Sequence, residues 1–315
     1  MRQTLILLAI VFISFAGGYL AKIAFQKQKT GIYSTLEVVA SQDQTRTSCR
    51  RIISLAPSIT ETLFKLGLAD RVVGVTDYCD FPPEAQAKTR IGGYYDPNYE
   101  AIIALRPDIV IMLPEHQEPK QYLSRFGLNL LIVDHKSIPA ILSSITAIGN
   151  ACGAEQKAAF IVHDLRERME SIKLKTDGLN RPKVMITVGR NMGSGSLKDI
   201  YISGRDGFYD KMITLAGGVN AYTGNVTFPV VSGEGIIRMN PEVIIDIIPD
   251  LEQKGWDKAM ITKEWKTIFQ VDAIKNNRVY IFGEDYVAVP GPRFILIMEQ
   301  MAKVIHPEAD WQQAQ

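Results

Sequence analysis

One segment of this chain is written twice. Glu100-Ala-Ile-Ile-Ala-Leu-Arg-Pro-Asp-Ile-Val-Ile111 lies over Glu234-Gly-Ile-Ile-Arg-Met-Asn-Pro-Glu-Val-Ile-Ile245 at a constant offset of 134 positions. Each copy reads as a Glu at a helix start, an apolar helix face, a Pro-Asp or Pro-Glu turn and a buried strand. An acid in the first helical turn is favoured by the helix dipole. The same offset carries Tyr94 onto Phe228, each six residues before its Glu. A helix–turn–strand unit recurring at this distance constrains the chain to two similar α/β halves related by pseudo-symmetry.

The surrounding pattern agrees. Short apolar runs at 52–55, 72–75, 109–113 and 130–133 are bounded by Pro, Gly or Asp, and helical stretches such as 60–66 and 138–150 lie between them. Strands that are apolar throughout and alternate with helices predict parallel sheets covered on both faces. The alternation resumes at 183–188, 201–203, 243–248 and 278–282, with a last helix over 292–304. Between the halves, Ala154 to Thr176 holds no Pro or Gly, and Phe160, Ile161, Leu165, Met169 and Ile172 recur at helical spacing. The fold expected is α/β, two lobes with parallel sheets joined by one long helix. Its parts are an N-terminal lobe over 50–152, a bridging helix over 153–178 and a C-terminal lobe over 179–315.

The N-terminus reads as export. One positive charge at Arg2 is followed by the apolar run Leu5 to Ala16, and small residues follow at Ala16-Gly17-Gly18. This has the shape of a secretory signal, with an uncleaved anchor over 1–28 as the alternative and a linker over 29–49. No lipid-attachment context surrounds Cys49. With Cys49, Cys79 and Cys152 the only cysteines, an exported chain has at most one internal disulfide and a free thiol. Lys and Arg total 35 against 34 Asp and Glu, so the chain lacks the basic excess that neutralising phosphates requires, and nucleic acid is not an expected partner.

In open parallel sheets, ligands bind beyond the carboxyl ends of strands. The segments there supply Tyr78, Tyr94, Tyr95, His116, Arg190, Phe228, Tyr286 and Arg293. Such an aromatic set with sparse charges suits a large, flat ligand. Ser58 and Glu61 have capping-box spacing. Gly193-Ser194-Gly195-Ser196 lacks the Gly-Lys-Ser/Thr ending of a nucleotide loop. Three or four converging metal ligands are hard to assemble from the four histidines, of which only His116 falls in a cleft loop; there it, or a Tyr, is placed to act as an axial ligand to a chelated metal. No Gly-x-Ser-x-Gly elbow or Cys–His spacing marks a nucleophile. The expectation is a binding protein rather than an enzyme, with no resident cofactor and no metal site of its own.

The blocks Arg51-Ile-Ile-Ser-Leu-Ala-Pro-Ser-Ile-Thr-Glu61, Val73-Gly-Val-Thr-Asp-Tyr78, Ile91-Gly-Gly-Tyr94, Leu105-Arg-Pro-Asp-Ile-Val-Ile111, Leu215-Ala-Gly-Gly218, Asn240-Pro-Glu-Val-Ile244 and Pro290-Gly-Pro-Arg293 resemble, in order, the iron-chelate/vitamin B12 class of ABC-transporter solute-binding proteins. The resemblance covers about residues 50 to 308. It implies a rigid bridging helix, a ligand between the lobes, a monomer, and Glu100 and Glu234 as docking residues for the ABC permease subunits. Tyr78 matches an aromatic of the cobalamin-binding branch, whereas Tyr94, Phe228 and Leu113 stand where that branch has Trp. Tyr94 or Tyr95 matches the axial Tyr of heme-binding relatives. Arg190, Tyr286 and Arg293 supply what siderophore binders use. The transported ligand implied is therefore a ferric chelate, cobalamin or heme, taken up from the periplasm or the outer face of the membrane. A receptor for bare Zn or Mn ions and an anchored ligand sensor are the alternatives.

Overall fold

The computed structural model describes residues 49–192, 197–251, 253 and 255–311, so the expected export segment and linker, and residues Gly193–Ser196, lie outside the described residues. The first lobe is built from β1 (Ile52–Ser54), α1 (Pro57–Lys65), β2 (Val72–Val75), α2 (Tyr99–Ala104), β3 (Ile109–Met112), α3 (Gln117–Arg125), β4 (Leu130–Ile132) and α4 (Ile138–Cys152). Its strands form one parallel sheet in the order β2-β1-β3-β4. Side chains alternate across it, as strand geometry requires. Ile52, Ile109 and Ile111 enter one apolar cluster, while Ile53, Val110 and Met112 enter another on the opposite face.

Ser137 caps α4 by accepting a hydrogen bond from the Ala140 amide at 3.3 Å, and Gly153, at φ 69°, ends it in the left-handed conformation that glycine adopts without steric cost. The chain restarts at once as α5 (Glu155–Thr176), whose 22 residues rise about 33 Å at 1.5 Å each. Ala158, Ile161, Val162, Leu165 and Ile172 form its buried stripe. Phe160, expected on that stripe, is instead 65% exposed, because it follows Lys157 onto the outer face, where the ammonium lies over its ring.

The second lobe continues through β5 (Lys183–Gly189), β6 (Ile200–Ile202), α6 (Tyr209–Leu215), β7 (Val219–Asn220), β8 (Val230–Val231), α7 (Gly233–Met239), β9 (Val243–Ile247), α8 (Lys258–Trp265), α9 (Asp272–Lys275), β10 (Val279–Phe282) and α10 (Phe294–Ile305). The long helix packs on α4 of the first lobe and on α6 and α10 of the second, with Arg168 paired to Glu299 at 2.8 Å. Ile59 of the first lobe, Leu165 of the long helix and Met298 of the second lobe belong to one apolar cluster.

The second sheet is not wholly parallel. Its ladder β10-β9-β5-β7 is parallel and has the order of β4-β3-β1-β2, but β6 pairs antiparallel with both β5 and β8. The repeated unit is repeated in detail. Asn98 accepts from the Ala101 amide at 2.9 Å to cap α2, and Ser232, 134 positions on, accepts from the Gly235 amide at 3.3 Å to cap α7. Arg106 and Asn240 both leave these helices at φ 43°, each immediately before a proline that disfavours the right-handed helical region for its predecessor.

The first lobe is closed covalently. Cys49, just before β1, is bonded to Cys152 at the end of α4, with Cα atoms 5.0 Å apart. Cys79 is a buried free thiol, held between the Thr60 and Thr76 hydroxyls.

Candidate functional site

A cavity of about 780 Å³ lies between the lobes. Tyr78, Tyr94, Tyr95 and Leu113 wall it from the first lobe, and Phe208, Tyr209 and Phe228 from the second. Tyr78, Tyr95 and Phe228 are 66%, 72% and 47% exposed, a large aromatic surface for a chain to leave in water. Tyr78 follows β2, Tyr95 precedes α2 and Phe228 precedes β8, so loops rather than strands face the ligand space.

Tyr94 is the most constrained ring. Its hydroxyl donates to Glu115 Oε1 at 2.8 Å, and its ring meets Tyr95 edge-on at 4.7 Å. Burial first, then the hydrogen bond and charge of Glu115, push its phenol well above the usual tyrosine range. His116 stands behind it, 4.6 Å away between ring centroids. It precedes α3, is buried, and accepts the Leu113 amide on Nδ1 at 3.0 Å. Burial lowers its pKa. His116 therefore braces the turn carrying Leu113 and Glu115 and does not itself line the cavity.

His135, Lys136, Asp206 and Thr227 line the cavity and were not singled out from sequence; two of them are held in place by hydrogen bonds. His135 is buried, with Nδ1 at 2.7 Å from Ser58 Oγ and Nε2 at 2.7 Å from Ser144 Oγ. Burial pulls its pKa down to about 4, so it is neutral at pH 7. Ser58 and Glu61 do not form the expected capping box. Ala56 is the residue before α1, Pro57 opens the helix, the Ser58 hydroxyl turns to His135, and the Glu61 carboxylate turns to Arg293. Asp206 is the second group. It accepts from Ser203 Oγ at 2.5 Å and from the Phe208 and Asp210 amides at 2.7 and 3.2 Å, and burial raises its pKa. An Asp two residues before an aromatic helix start was the available signal.

Arg190, Arg293 and Tyr286, named from sequence, are not brought to this cavity. The Arg190 side chain is 1% exposed and pairs with Asp246 at 3.1 Å and Glu264 at 2.5 Å. Trp265 Nε1 also donates to Asp246, at 2.8 Å, and so does the Thr187 hydroxyl. A guanidinium buried this deeply must be paired. Arg293 is occupied by Glu61 and Asp285, and Tyr286 lies beneath it, lining a separate pocket of about 390 Å³ with Asp250 and Glu284. The charges that do line the main cavity are Glu115, Asp206 and one base, Lys136.

Glu100 and Glu234 are exposed on the first turns of α2 and α7. A hydrogen bond from Ser232, ahead of the Glu234 amide, holds the Glu234 carboxyl below the usual range.

Two α/β lobes flanking a single long helix, with an aromatic cavity between them, define a solute-binding architecture. The chain belongs to the periplasmic binding protein family, which it matches over residues 52–286. It is 30% identical over 292 residues to an uncharacterized ABC transporter substrate-binding lipoprotein of Bacillus subtilis, covering 90% of this chain and 88% of that one. It is 27% identical over 254 residues to the vitamin B12-binding protein of Vibrio cholerae, covering 80% and 87%. Its fold matches the periplasmic heme-binding protein of Roseiflexus with a TM-score of 0.69 at 25% identity, over 82% of this chain and 98% of that one. Among the described residues no helix is long and apolar enough to cross a membrane.

Proposed function

We propose that this protein is the extracytoplasmic substrate-binding component of an ABC importer, and that its ligand is a large, flat metal chelate of low net charge, a corrinoid such as cobalamin. The observation that carries this is the character of the cavity. Aromatic rings from both lobes face a volume of about 780 Å³ whose charged lining is two acids and one lysine. Rings stack on a macrocycle, and an amide-fringed ligand is satisfied by Ser58, Thr227 and Asp206. A polyanionic siderophore would meet Glu115 and Asp206 with only Lys136 to oppose them. The similarity to vitamin B12-binding proteins over 80% of the chain supports the same reading.

Heme is the second reading, favoured by the likeness to the Roseiflexus protein. Tyr94 argues against it as an axial phenolate, because its hydroxyl donates to Glu115, and burial, then Glu115, holds the phenol protonated. The role involves no covalent step. Delivery to the permease is assigned to Glu100 and Glu234, topologically equivalent acids, one per lobe.

The protein is incubated separately with cobalamin, hemin and ferric siderophores, desalted, and its absorption spectrum recorded. Retention of cobalamin is expected. Retention of heme or a siderophore alone overturns the ligand assignment, and binding of free Zn²⁺ or Mn²⁺ in calorimetry with no chelate retained overturns the class. Glu100→Lys with Glu234→Lys is expected to abolish uptake in cells and leave chelate affinity intact.

A further inference from the structure

Arg293 joins side chains from both lobes. Its Nη2 and Nε meet the two Glu61 carboxylate oxygens at 2.6 and 3.0 Å, and its Nη1 meets both oxygens of Asp285 at 3.0 and 2.8 Å. Its guanidinium carbon lies 3.6 Å from the centre of the Phe81 ring and 5.3 Å from that of Tyr286. Glu61 and Phe81 belong to the first lobe; Asp285 and Tyr286 belong to the second. Planar stacking combined with forked pairing is the geometry for which Arg, and not Lys, is suited.

The surroundings are built to let the two lobes meet here. A β-carbon on Gly291 would stand 3.2 Å from Ser58 Cα and 3.3 Å from Glu61 Oε2, so the second-lobe loop approaches α1 more closely than a side chain would comfortably permit. Ser58, Pro57 and Pro290 line the cavity just above. Ser58 and Glu61 are one helical turn apart, so a single helix carries both a cavity residue and the interlobe ion pair.

We propose that Arg293 is a positioning residue that clasps the two lobes at the cavity floor and sets the width of the cleft in the ligand-free protein. Its donors are spent on Glu61 and Asp285, which leaves the ligand to the rings above. The clasp acts independently of which chelate is bound.

The test uses the whole protein with spin labels on cysteines introduced at two exposed positions, Lys120 in the first lobe and Lys211 in the second, in a Cys79→Ala background. The interlobe distance distribution is recorded without ligand by pulsed electron resonance. Arg293→Gln and Glu61→Gln are each expected to broaden and shift it, whereas Asp285→Asn, which removes a partner within the second lobe, leaves it unchanged. Cobalamin, used as the probe chelate, is expected to leave Arg293→Gln about tenfold faster than wild type, because a cleft no longer held at one width holds its ligand less long, and affinity changes of this kind fall mainly on dissociation. An unchanged distribution in Arg293→Gln with a lowered melting temperature assigns it a merely stabilising role and overturns the proposal, as does equal broadening by Asp285→Asn. Should Arg293→Gln not fold, Arg293→Lys, which keeps the charge and loses the fork, carries the same expectation and the same refutation. The distance measurement contains no ligand, so its failure leaves the chelate assignment standing.

Discussion

Reducing the Cys49–Cys152 disulfide, with no substitution made, isolates a single physical effect. The bond spans 103 positions, so the closed loop is the first lobe itself. A loop of that length, if free in the unfolded chain, regains closure entropy worth about 4.7 kcal/mol at 25 °C. Both cysteines are buried, and reduction removes no heavy atom, so no side-chain-sized cavity is opened in the folded state. The folded protein is therefore expected to lose about 3–5 kcal/mol when reduced, with the slope of the urea transition increasing because the unfolded chain becomes less compact. The assay is urea unfolding followed by far-UV circular dichroism, with and without a phosphine reductant, the thiol count being verified before each series. A loss below about 1 kcal/mol would refute the reasoning, since it would mean that residual structure in the unfolded first lobe, and not chain entropy, governs the bond.

Three further outcomes are expected. His135 is held neutral with a pKa of about 4 against about 6.5 when unfolded, so the unfolded state binds the proton first, and stability falls as pH drops from about 6.5 to about 4 by about 3 kcal/mol; the wild-type protein minus His135→Asn, compared by urea midpoints across that window, should show this slope, and a flat difference rejects it. Arg190→Ala removes the cation beside the buried Asp246 and Glu264 carboxylates and is expected to cost about 3–5 kcal/mol in chemical denaturation, with the chelate affinity of the folded fraction unchanged. Tyr94→Phe keeps the ring and loses only the Glu115 contact, so cobalamin affinity in equilibrium titration should change less than about threefold, whereas Tyr94→Ala should lose more than about tenfold, the factor that about 1.4 kcal/mol carries.

The layout of the fold was legible because it rests on periodicity. β2 and the start of α4 fall at the expected residues, and α5 begins one residue after its expected start. A strand at 201–203 was legible and is β6, but its antiparallel pairing was not, and β8 was not read at all, since a two- or three-residue strand carries no directional signal. In the site Tyr78, Tyr94, Tyr95 and Phe228 were readable as aromatics in loops, whereas Phe208 and Tyr209 were not named. The fate of the arginines was not: Arg190 meets acids 56 and 74 positions away, and Arg293 meets one 232 positions away, pairings that only the tertiary fold creates. His135 was hidden for the same reason, its two serines lying 77 and 9 positions away.

The apolar cluster that passes from Ile59 through Leu165 to Met298 has a consequence for the history written in the repeat. Each half still carries its own sheet, its own capped helix and its own acid, as a once-separate ancestor would. Yet neither half keeps a complete interior, because the long helix offers its stripe to both. Cutting the chain on either side of that helix would leave a piece with a greasy flank and no cover for it. The two lobes, sharing that cluster, are therefore expected to unfold together.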